Sequence, residues 1–163
     1  MNTQDAVAAQ AVIKTLEYIE HLAQSEEGLA QLNQSTMGMC QVMFDAMYEL
    51  FGDGDNLTPE YTAGRSLWND TNRGLFEEWP EFSGSTTYPV RVRPFSNPRL
   101  VGNEHATDNG AEEWCESAGS QFNNSNIMFS YNTEYGRARL RLVAYLRERY
   151  QQAIDGVRPL PGV

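Results

Sequence analysis

Apolar residues recur at steps of three and four over four long stretches of the chain, the spacing of helices with one buried face. From about Thr3 to Gln24 the period is kept by Val7, Ala11, Leu16, Ile19 and Leu22, with Val12 and Ile13 beside them. Ala6, Ala8, Ala9 and Ala11 favour helix in their own right. Ser25, then Glu26, Glu27 and Gly28, marks a break or a fresh N-terminus, with acids suited to a first helical turn. A second helix is predicted from Thr36 to Phe51, with Met37, Cys40, Met43, Phe44, Met47 and Leu50 as its stripe and Gly52 as its stop. Such a methionine stripe is either core or an adaptable binding face, and core is the simpler reading.

Asp53-Gly54-Asp55-Asn56-Leu57 is a turn-rich loop, and Thr58-Pro59 is a helix start. The third helix runs from Pro59 to about Trp79 on Leu67, Trp68, Leu75, Phe76 and Trp79, weakened by Gly64 and Gly74. Between Pro80 and Pro98 the pattern changes. Thr86, Thr87, Tyr88, Val90, Val92 and Phe95 read as extended chain, which Pro89 and Pro94 confine to a sheet edge or an irregular ribbon. Residues 96–125 read as a surface loop with one short helix near 111–118, and 127–131 as a short strand. The last helix, Glu134 to Ile154, carries Leu142, Val143, Leu146, Tyr150 and Ile154 on one face and stops at Gly156.

This pattern predicts an α+β fold, mostly helical with a small irregular antiparallel strand element. One domain is expected: a helical N-terminal half over 1–57, a scaffold over 58–156 and an extended tail over 157–163.

Composition refines the picture. With 163 residues the chain can bury a core without metal or disulfide staples. Its hydrophobic fraction is 40% and its mean hydropathy −0.54, which fits a folded protein with a polar surface. No stretch approaches the roughly 20 apolar residues that span a bilayer, and the N-terminus lacks the basic-then-apolar pattern of a secretory signal. Cys40 and Cys115 are then most simply reduced thiols. The expected setting is the cytoplasm, with no membrane partner.

Charge is lopsided. Of the net −10, residues 1–60 contribute −9, from ten acids and the single lysine, Lys14; residues 61–163 set eleven arginines against twelve acids. So acidic a chain repels nucleic acid and anionic membranes, so no direct nucleic-acid contact is expected. Glu17, Glu20, Glu26, Glu27, Asp45, Glu49, Asp53 and Asp55, mostly on helices, form the candidate surface for a partner protein. Carboxylates so spaced can imitate duplex phosphates, which run at about one charge per 1.7 Å. An alternative ligand site is an arginine patch. Arg91 and Arg93 share one face of an extended segment, and Arg137 and Arg141 one face of the last helix. It would sequester an anionic nucleotide, unless these arginines pair internally.

Catalytic chemistry finds no motif. Glu17 and His21 share a helix face but lack further metal ligands. An EF-hand frame opened at Asp53 meets Leu57, Thr58 and Gly64 where an oxygen ligand, glycine and glutamate are required. Neither a G-x-S-x-G elbow nor a phosphate-cradling glycine loop is present. The expectation is a non-enzymatic protein with no catalytic residue, cofactor or metal.

Two segments carry a family resemblance. Trp79-Pro80-Glu81-Phe82-Ser83-Gly84 followed by Tyr88-Pro89-Val90, and Glu134-Tyr135-Gly136-Arg137 with Arg139 and Leu142, resemble small accessory proteins of tailed bacteriophages over about residues 66–150. The resemblance brings no activity. It implies a scaffold in which Tyr135 and Arg137 dock the closing helix on the Trp79-Pro80 corner. It also implies a phage-encoded protein that modulates or inhibits a host protein in the host cytoplasm, such as a nucleic-acid-handling defence complex of the CRISPR or restriction type. A virion structural or assembly protein, acting as a homo-oligomer, is the remaining alternative.

Overall fold

A computed structural model of the chain describes residues 1–34, 39–53, 56–79, 129, 131 and 134–162. Within them the chain forms five helices: α1 (Thr3–Leu22), α2 (Glu26–Leu32), α3 (Met39–Phe51), α4 (Pro59–Glu78) and α5 (Glu134–Ile154). Local chemistry sets the helix starts. The side chains of Asn2, Ser25 and Thr58 accept from the backbone N–H groups of Asp5, Gly28 and Tyr61 at 2.8, 3.0 and 3.2 Å. Gly156, at φ 73°, closes α5. The N–H of Val157 reaches the Gln152 carbonyl and that of Gly156 the Ala153 carbonyl, the paired bonds of a Schellman end.

The α+β expectation is corrected: the described chain is a helical bundle. Its only strand pairing is a ribbon of two residues a side, Gly52–Asp53 (β1) against Asn56–Leu57 (β2), antiparallel between α3 and α4. The ribbon forms no layer, because Gly52 is only half-buried and Leu57 is exposed. Every described residue of the core except Ala23, Trp79, Phe129 and Leu160 lies within a helix. The strand predicted at 86–95 and the short helix near 111–118 lie outside the described residues. Of the strand predicted at 127–131 only Phe129 and Tyr131 are described, and neither is in a strand.

Helix α1 is the centre of the bundle, packed against α4, α5, α3 and α2. That explains its wide apolar surface: Ala8, Ala9, Val12, Ile13, Leu16 and Ile19 are all buried, more than one stripe would require. Val7, assigned to that stripe by its spacing, is exposed. Where α1 meets α4 the contact is between small residues: a Cβ added to Gly64 would sit 3.1 Å from the Cβ of Ala11 and 3.3 Å from the Met47 sulfur. Gly64 is therefore a packing glycine. Of the stripe predicted on α3, Met43 and Met47 are core, Cys40 and Phe44 are half-buried, Leu50 is exposed and Met37 lies outside the described residues; Met39, Val42 and Ala46 complete the buried face.

Helices α4 and α5 are joined by large side chains. The Tyr150 and Thr71 hydroxyls lie 2.5 Å apart, and the Trp68 ring packs on Tyr150 and edge-on to Phe76. Arg149, 1% exposed, donates from Nε to Glu78 at 2.5 Å and from Nη2 to the Pro159 carbonyl at 3.0 Å. Arg158 reaches the other Glu78 oxygen at 3.0 Å. Leu160 is buried, and a Cβ on Gly74 would collide with Pro161. The C-terminal tail is thus held on the bundle, with a turn at Pro161-Gly162.

Candidate partner-binding groove

The acids singled out from the sequence divide by what they touch. Glu20 on α1 is used internally: Arg147 of α5 sets Nε and Nη2 on its two carboxylate oxygens. Glu17 of α1 and Glu26 and Glu27 at the start of α2 are exposed. Glu26 and Glu27 stand in the first turn of their helix, where the backbone dipole favours negative charge. Asp45 and Glu49 lie one turn apart on α3, both exposed. The side chain of Asp53 and all of Asp55 lie outside the described residues.

Glu49 is held in place rather than neutralised. The Tyr18 hydroxyl donates to its Oε1 at 2.6 Å, and the Gln31 amide donates to both oxygens at 3.2 and 3.0 Å. Burial, then the bond to Glu49, pushes the Tyr18 hydroxyl above its ordinary pKa, so it remains a proton donor to the carboxylate. Asp45 accepts from Gln41 at 2.7 Å. Neutral donors fix both carboxylates and leave their charge intact.

These two acids rim a groove of about 370 Å³ between α2 and α3. Leu22, Leu32, Val42 and Ala46 line it, so its floor is apolar and its edge acidic. A second cleft of about 420 Å³, along the other flank of α2, shares Leu22 and Gln31 with the first and adds His21 and Glu27. Among the described residues, neither cleft is lined by an arginine or a lysine. Together they can seat an aliphatic stem ending in a cation: the stem on the floor, the charged head at Asp45 and Glu49.

Helix packing decides this arrangement. The capped start of α2 at Ser25 turns the chain back beside α1, and the turn has no room for a side chain at Gly28, whose added Cβ would collide with the Leu22 carbonyl oxygen. Tyr18 and Gln31, which orient Glu49, were not singled out from the sequence; they belong to α1 and α2, and no local spacing links them to α3. The apolar period does mark Leu22, and the N-terminal acid excess does mark Asp45 and Glu49.

The arginines are placed differently. Arg91 and Arg93 lie outside the described residues. Arg137 donates to the Tyr131 carbonyl at 2.8 Å, and Arg141 is exposed on α5. Arg139, Arg147 and Arg149 all make contacts inside the bundle. Among the described residues no three His, Cys, Asp or Glu side chains converge as metal ligands. Burial raises the pKa of the Cys40 thiol, the opposite of what a nucleophile needs. No described helix is long and apolar enough to cross a membrane.

The chain matches no protein-family model, no curated protein and no solved structure.

Proposed function

We propose that this is a non-enzymatic binding protein that grips a cationic segment of a partner protein in the acidic groove between α2 and α3. The observation that carries the reading is the pair Asp45 and Glu49, fixed by neutral donors over an apolar floor with no cation among the described residues that line the groove. Proteins that handle nucleic acid present Arg- and Lys-rich surfaces to phosphate, so they are the partner class this groove fits. The reading takes the protein as a phage-encoded modulator of such a host protein in the host cytoplasm. Its support is the charge and shape of the groove, since the comparisons add none to the phage resemblance.

The test is binding of a fluorescent deca-arginine peptide by anisotropy. Affinity should fall steeply between low and physiological salt. The double variant Asp45→Asn, Glu49→Gln should lose roughly tenfold or more, the scale of one charged contact. Glu60→Gln, at the exposed start of α4, should change little. Equal losses from Glu60→Gln and from the groove variant would mean that general acidity, not the groove, does the binding.

A further inference from the structure

Three arginines of α5 turn inward, and two of them meet acids. Arg147 has Glu20, and Arg149 has Glu78 with two backbone carbonyls. Arg139 is as deeply buried as Arg149, at 1% exposure, yet no carboxylate of the described residues reaches it. Its Nε donates to the Met39 thioether at 3.3 Å, and its guanidinium lies 4.6 Å from the centre of the Phe129 ring. Its Nη2 is buried without a hydrogen-bond partner among the described residues.

The N–H groups of Nε and Nη2 point the same way. They form the guanidinium edge that takes a carboxylate or phosphate through two parallel bonds. Arg147 uses this edge on Glu20. Among the described residues, the same edge of Arg139 meets only a thioether, a weak acceptor on a flexible side chain. A buried cation without a counter-charge is costly, and burial pulls this guanidinium down to a pKa of about 9. The surroundings favour an anion further. Met39 is the first residue of α3, and the first turn of that helix holds no acidic side chain to answer its positive end. The guanidinium plane is also held: Phe129 lies against it, and both backbone groups of Phe129 are bonded to the Asn33 amide.

We propose that the Nε–Nη2 edge of Arg139 binds a phosphate group, admitted as the Met39 side chain turns aside. The site is separate from the acidic groove and stands whether or not the groove binds a cationic partner. Its source is free phosphate or the phosphate of a nucleotide.

The experiment is thermal unfolding of the whole chain, titrated with inorganic phosphate and separately with AMP, against chloride at matched ionic strength. A saturable rise in Tm is expected, on the order of 5–10 °C at about 100 times Kd. A tighter response to AMP identifies a nucleotide site, and an equal one a site for phosphate alone. Arg139→Met fills the space without the charge; it should stay helical by circular dichroism and lose the response. Arg139→Lys keeps the charge but not the two-pronged edge and should bind at least tenfold more weakly. The proposal is overturned if wild type gains nothing over chloride, or if Arg139→Met keeps the full rise. Should Arg139→Met not fold, an unchanged response in Arg139→Lys overturns it equally.

Discussion

The side-chain amide of Asn33 holds both backbone groups of Phe129: its Nδ2 donates to the carbonyl at 3.0 Å, and its Oδ1 accepts from the N–H at 2.8 Å. The two residues are 96 positions apart. Asn33 is the C-cap of α2, and Phe129 lies buried under Arg139. One amide thereby does what a strand neighbour does in a sheet.

Asn33→Ala should therefore cost about 2 kcal/mol or more, because it leaves a donor and an acceptor of a buried residue unpaired. Asn33→Asp, which keeps the acceptor and loses the donor, should fall between. Urea unfolding measures the loss, and amide exchange at Phe129 should quicken in the alanine variant with little change in α1.

Glu78 joins α4 to Arg149 of α5 and Arg158 of the tail. Glu78→Gln strands a buried guanidinium and should destabilise by about 3–5 kcal/mol, whereas the double change Glu78→Gln, Arg149→Met should recover part of that loss. Amide hydrogen exchange at Arg158 and Leu160 should quicken in the single variant. An unchanged exchange rate would show that the tail is held by Leu160 and Pro161 alone.

Gly28→Ala places a Cβ on the carbonyl oxygen of Leu22. Backbone cannot yield there as a flexible side chain can, so α2 must shift. A loss of about 1–3 kcal/mol is expected, the usual range for overpacking. Because α2 forms one wall of the groove, peptide binding should weaken in the same variant even where it remains folded. Full affinity in a destabilised Gly28→Ala would separate α2 from the binding surface.

Burial holds the Tyr150 hydroxyl well above the ordinary tyrosine pKa of 10.0, with the Thr71 hydrogen bond opposing it in part. The raised folded value fixes the sign. Below pH 10 both folded and unfolded states keep the proton, and stability from this group is complete. Above pH 10 the unfolded chain releases the proton first, so stability falls as pH rises. Tyr150→Phe should lower stability at neutral pH by about 1 kcal/mol through loss of the Thr71 bond. It should also flatten the decline above pH 10, which unfolding curves at pH 9 and 11 can measure.

The helical skeleton was legible because its signals are local. Asn2, Ser25, Thr58 and Gly156 act within a few residues of themselves, so the starts of α1, α2 and α4 and the end of α5 fall where the caps put them. Period alone placed Met43 and Met47 in the core, but it also placed Leu50 there, which is exposed. The α+β assignment rested on extended chain read at 86–95, which lies outside the described residues, and on a strand at 127–131 whose described residues, Phe129 and Tyr131, are in none; the described core is built from helices. Gly64 and Gly74 looked like weaknesses of α4 because the sequence hides what faces them; the fold brings Ala11 and Pro161 there.

The sequence by itself determined where α1, α2 and α4 begin and where α5 ends, and that the N-terminal part carries nearly all the net negative charge, since capping, period and charge belong to each segment alone. Tertiary structure decided which charges remain available. Glu20 met the cation of Arg147, Glu49 met the neutral donors Tyr18 and Gln31, and Arg139 met, among the described residues, Met39 and Phe129. Those outcomes depend on contacts between elements up to 127 residues apart, and a charge becomes a binding group or a strut only once its neighbour across the bundle is fixed.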